Sequence, residues 1–184
     1  MTRRAVPELA WWREDPERWE LLAFDKQQDA DGRPFDPCWE DREQVLELLF
    51  RAPRPEDHAF ARYLLVQETA WHGHNWGFCH SIELAALLVA DARRVEDVWL
   101  LWEAIPRSFD TWCGLPHHLL LACGIAETAA YVRASEHPQR DNLLGHLAEI
   151  SDTTDDAVAQ HLAGRHTYYR DAFDELAHEQ VTSG

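Results

Sequence analysis

Lysine, methionine and asparagine are nearly missing from this 184-residue chain: Lys26, Met1, Asn75 and Asn142 are the only ones. Codons for these three residues are A/T-rich, whereas most arginine codons are G/C-rich. The bias therefore predicts a GC-rich, bacterial genome and says little about function. Basic residues are few altogether, 17 against 33 acidic ones, giving a formal net charge of -16. A face that tracked phosphates would need clustered Lys and Arg, so nucleic acids and anionic membranes are excluded as expected partners. Long apolar runs are also missing. The longest, Ile82 to Ala92, is broken by Glu83 and Asp91, so no membrane-spanning segment is expected. Arg3 and Arg4 are followed by no apolar stretch of the kind a secretory leader carries. The four cysteines, Cys38, Cys79, Cys113 and Cys123, form no CxxC pair. They read as reduced thiols of a cytoplasmic protein. Val, Ile and Thr are scarce and never alternate with polar residues, which excludes an extended sheet.

What is present is helical periodicity in a chain that is 46% apolar. Trp39, Val45, Leu46, Leu49 and Phe50 form one stripe, introduced by Asp36 as N-cap and Pro37 as first helical residue. A second helix starts near Pro55 and carries Phe60, Tyr63 and Leu64. The helix holding Ile82, Ala85, Ala86 and Val89 is apolar on its opposite face too, at Leu84, Leu87 and Leu88, so it is expected at the centre. Val95, Val98, Trp99 and Trp102 follow, then Leu143, Leu144, Leu147 and Ile150, then Tyr169, Phe173, Leu176 and Ala177. Between them, Asp110 to Gly124 is less regular, with a short helix expected over Pro116–Ala122 and another over Ile125–Ser135. The fold class is therefore all-α, with eight or nine short helices. Residues 1–36 read as an N-terminal helical arm and loop, and residues 37–180 as the helical domain. Residues 181–184 read as a disordered tail.

Two segments echo each other. EQVLELLFRAP (Glu43 to Pro53) and EDVWLLWEAIP (Glu96 to Pro106) share Glu, Val, Leu and Pro at one register, and expected helix starts near 40, 78, 116 and 153 recur at about 38 residues. Over residues 37–165 this resembles a degenerate HEAT-like αα-repeat. The resemblance implies a stacked array of helix pairs. A closed helical bundle satisfies the same pattern.

Two clusters have the composition of chemical sites. Glu68 to Glu83 (ETAWHGHNWGFCHSIE) holds His72, His74 and His80, with Glu68 and Glu83 at its edges. Glu68 and His72 are four apart, His80 and Glu83 three apart, and Gly73 and Gly77 permit a sharp turn between two helices. These five side chains are candidate ligands for Zn or Fe, since imidazole and carboxylate suit both. The pattern resembles half of a carboxylate-bridged di-iron arrangement, without its Glu-x-x-His order or a second copy. A polar inter-helix turn with hydrogen-bonded histidines is the plainer reading. The second cluster is Asp110, Cys113, His117 and His118. Cys113, expected just before a helix, together with His117 and Asp110 has the make-up of a nucleophilic triad. The plainer reading is a helix-entry turn with a buried thiol.

Nine tryptophans remain. Trp99 and Trp102 fall on an apolar stripe and are expected in the core. Trp11 and Trp12 are adjacent, so one helix face does not bury both easily. With Trp71, Trp76 and Trp112 they are the candidate binding residues, because Trp is enriched at interface hot spots. The function expected is a cytoplasmic protein–protein interaction module, in its most concrete form an immunity or adapter protein binding a basic partner. The competing expectations are a small metal-dependent enzyme, or a metal or small-molecule sensor, built on residues 72–83 or on a Trp-lined cavity.

Overall fold

The computed structural model describes residues 6–182, and side chains as far as 178. Among the described residues there are nine α-helices and five 3-10 segments. The α-helices are α1 (Leu9–Glu14), α2 (Trp39–Arg51), α3 (His58–His72), α4 (His80–Asp91), α5 (Val98–Ala104), α6 (Phe109–Gly114), α7 (Ile125–Ala134), α8 (Arg140–Ile150) and α9 (Asp155–Thr182). The fold is all-α. One small departure is a two-residue antiparallel ladder, β1 (Gln27–Gln28) with β2 (Pro34–Phe35), inside the stretch expected to be a loop. No helix among the described residues is long and apolar enough to cross a membrane.

The centre is α4. Every residue from Ser81 to Leu87 is buried, as an all-round apolar helix must be. It packs against α2 and α3. A 3-10 segment, His117–Leu121, inserts Leu119, Leu120 and Leu121 between α4, α5 and α9. The expected cap is corrected: α2 starts at Trp39, with Cys38 at the cap position and no side-chain cap bond, and Asp36 Oδ1 instead accepts the Cys38 amide at 3.0 Å across Pro37 in the turn before the helix. The helices α3 and α5 start alike. Each is preceded by a 3-10 turn, Pro55–Asp57 or Val95–Asp97, that follows an arginine and ends in a buried aspartate. Asp57 and Asp97 stand 40 residues apart, a spacing other than the 53 residues of the register read from the sequence.

The N-terminal arm packs into the same core. Leu9, Trp12 and Leu22 belong to the main hydrophobic cluster. Trp12 and Trp19 both stack on Phe60 of α3, and Arg13 forks onto Asp57 through Nε at 2.8 Å and a terminal nitrogen at 2.6 Å. At the other end, α9 runs for 28 residues, far longer than the short helix expected. Its apolar stripe is buried at Tyr169, half-buried at Phe173 and exposed at Leu176. Of the expected tail, Val181 and Thr182 continue α9, and Ser183 and Gly184 lie outside the described residues.

Candidate functional site

The site is built where the α3–α4 connection meets α6. His72, the last residue of α3, is buried and fully bonded. Its Nδ1 lies 2.8 Å from the Glu68 carbonyl oxygen, and its Nε2 accepts the Cys79 amide at 3.1 Å. The neutral tautomer with the proton on Nδ1 satisfies both bonds, and burial pushes the imidazole pKa down. His72 thus ties the two ends of the 73–79 loop together. The loop's middle is fixed to α6 in two ways. The Gly77 amide, at a residue with φ of 106°, donates to Asp110 Oδ2 at 2.8 Å. The Phe78 ring lies on Gly114, where a Cβ would collide with it.

This docking decides what lies at the surface. Trp76 is 89% exposed and Phe109 80% exposed. They are the chain neighbours of Gly77 and Asp110, so the one hydrogen bond ties together the two segments that carry these aromatics. Trp112, 39% exposed, stands on α6 three residues after Phe109 and leads inward. Its ring lies edge-on to Trp102 and against His117 and His146. His146 is buried with neither ring nitrogen hydrogen-bonded, and burial pushes its pKa down. The two candidate clusters of the sequence therefore do meet in space, through backbone and packing.

They do not meet as a ligand set or a triad. The i,i+4 and i,i+3 pairs face each other as expected, with His72 Nδ1 3.8 Å from Glu68 Oε2 and His80 Nδ1 3.6 Å from Glu83 Oε2. Both carboxylates are engaged elsewhere. Glu68 accepts Arg42 Nε at 2.6 Å and the Ser81 hydroxyl at 2.5 Å. Glu83 faces Arg165 at 2.5 Å and accepts the Tyr169 hydroxyl at 2.9 Å. His74 turns away toward the Gln27 carbonyl. Among the described residues no three His, Cys, Asp or Glu side chains are placed to hold a metal ion.

The second cluster disperses in the same way. Cys113 is exposed and is the fifth residue of α6, so the expected position ahead of a helix is corrected. Asp110 is occupied by Gly77, and His117 Nε2 lies 2.9 Å from the Trp112 carbonyl oxygen. His118 pairs instead with His161 on α9.

Of the five binding tryptophans, Trp76 and Trp112 are at the surface. Trp12 and Trp71 are buried, and Trp11 is half-buried against Trp12 with the Arg18 guanidinium over its ring. Two adjacent tryptophans find separate places because the arm is folded against α3. Phe109 was not among the sequence candidates. The available signal was Ser108 three residues before Thr111, a capping pair that makes Phe109 the first residue of a helix and turns it outward. Comparison of the chain with known protein families, curated proteins and solved structures found no match.

Proposed function

We propose that this protein is a protein–protein interaction module, acting in the cytoplasm, whose partner docks on the corner formed by Trp76, Phe109 and Trp112. The observation that carries this reading is the pair of large aromatic side chains left in water on a backbone fixed by the Gly77–Asp110 bond and the Phe78–Gly114 contact. Exposed apolar side chains are common singly, but a cluster on a rigid support is what an interface core requires. Ordering costs little there, because the loop is already held. The net charge of -16 favours a basic partner, steered to the surface by opposite charge. An immunity or adapter role is the concrete form of this reading. A HEAT-like stacking of helix pairs, supported by the matching Asp57 and Asp97 turns, would supply the scaffold.

The test compares capture by the wild-type chain with capture by Trp76→Ser and Phe109→Ser variants. A basic partner bound by the wild type should be lost by at least about tenfold in either variant, as for truncation of a hot-spot residue. The association should also weaken steeply with added salt. A partner that binds the variants equally, or no basic partner together with a monomer at every salt concentration, would overturn the reading.

A further inference from the structure

A separate groove lies on the outer side of α5. Its volume is about 740 Å³, and its walls are Trp99, Trp102 and His137, with Arg62, Arg107 and Glu103 among the residues around them. That volume is in the range of small-molecule sites. Trp99 of α5 and His137 of the segment before α8 stack face to face, with ring centroids 3.9 Å apart and 17° between planes, so they form a two-layer aromatic wall to which a further ring can add as a third layer.

The charge in this groove runs against the rest of the molecule. The chain has nearly twice as many acidic as basic residues, yet two guanidinium groups and one carboxylate line the groove. Arg62 is partnered by the buried Asp97. Arg107 has no carboxylate partner among the described residues. It lies across Gly73, in space that any other residue's Cβ would fill. An unpaired guanidinium beside an aromatic wall, in a chain rich in carboxylates, is suited to bind an anion that arrives from solution.

We infer that the groove binds a small planar aromatic ligand carrying an anionic group, with its ring against the Trp99–His137 wall and its carboxylate or phosphate on Arg107. This inference stands on α5 and Arg107 and does not depend on the aromatic corner. The global charge supplies a sharp control. Non-specific adsorption to a protein of charge -16 would favour a cationic ring, whereas this site prefers an anionic one.

Calorimetric titration with four probes of one shape tests it: 2-naphthoate, 2-naphthyl phosphate, 2-naphthalenemethanol and 2-naphthylmethylamine. At least one of the two anions should bind saturably, and better than the alcohol and the amine. Preference between the two anions identifies carboxylate or phosphate as the natural group. Arg107→Gln should weaken that binding by about tenfold or more, the scale of one charge-assisted hydrogen bond. His137→Ala should also weaken it, and Phe109→Ser should leave it unchanged. Both Arg107 and His137 are exposed, so neither substitution disturbs the core. The inference is overturned by no saturable binding of either anion, by an alcohol or amine that binds as well, or by full affinity in Arg107→Gln.

Discussion

At the scale of single residues, Arg42 carries a fully buried electrostatic network. It is buried, as are both of its carboxylate partners, Asp36 at 2.6 Å and Glu68 at 2.6 Å, and a third bond reaches the Leu22 carbonyl oxygen at 3.2 Å. Burial by itself would lower the guanidinium pKa, and the two carboxylates outweigh it and hold the pKa above its ordinary value. Arg42→Leu would leave two buried carboxylates without a cation. Breaking such a network costs roughly 3–5 kcal/mol, and urea denaturation should show a loss of that size. The sequence names Glu68 as a candidate metal ligand because it carries no sign of the arginine that would take it. The partner sits 26 residues away on another helix, and helical spacing pairs residues only three or four apart.

Histidine sets the behaviour in acid. His72, His118 and His146 all have pKa values pushed below the ordinary 6.5, in each case chiefly by burial. Each therefore holds its proton less readily in the folded chain than in the unfolded one. At pH values more than about one unit above 6.5 all are neutral in both states and contribute no pH dependence, and near 6.5 the unfolded chain is already about half protonated. As pH falls below that value the unfolded chain takes up protons first, and stability drops until the lowered native values are passed. Thermal melts across this range should show a falling midpoint, and His146→Phe should flatten part of the slope. A slope unchanged by that substitution would show that His146 does not contribute.

At the scale of elements, the meeting of the 73–79 loop with α6 rests on Gly114. A Cβ there would strike the Phe78 ring, which cannot move without releasing the loop. Gly114→Ala is expected to destabilise by about 1–3 kcal/mol, as overpacking does, and to weaken partner binding along with it. Gly73→Ala meets only the flexible end of Arg107 and should leave stability nearly unchanged. Denaturation of the two variants side by side checks the contrast. The elements that sequence pattern makes legible are those with a sustained period. The centre, α4, is apolar on both faces, and the stripes of α2 and α8 are regular. By contrast α6 is short and mixes exposed Phe109, Trp112 and Cys113 with buried Thr111. No 3.6-residue stripe reveals it, and only its capping pair does. Trp76 and Trp112 are legible as candidate binding residues by type alone. That the loop of one is bonded to the helix of the other is not, because Asp110 and Gly77 are 33 residues apart.

At the scale of the whole molecule, one guanidinium joins parts that the sequence separates. Arg42 belongs to α2, Asp36 to the loop before it, Glu68 to α3, Ser81 to α4 through Glu68, and Leu22 to the N-terminal arm. Gln67 on α3 adds a bond to the Phe24 amide at 2.9 Å. The arm cannot swing away without stripping partners from a cation that no water reaches. Opening of residues 9–22 is therefore coupled to opening of α2 and α3, and the chain melts as one cooperative unit instead of shedding its first segment. Native-state hydrogen exchange reads this directly: backbone amides of the arm should exchange with the same free energy as those of α3, and a lower value confined to the arm would break the coupling. A protein so joined has no inexpensive partly open state, so its exposed aromatics are carried on a frame that is already whole.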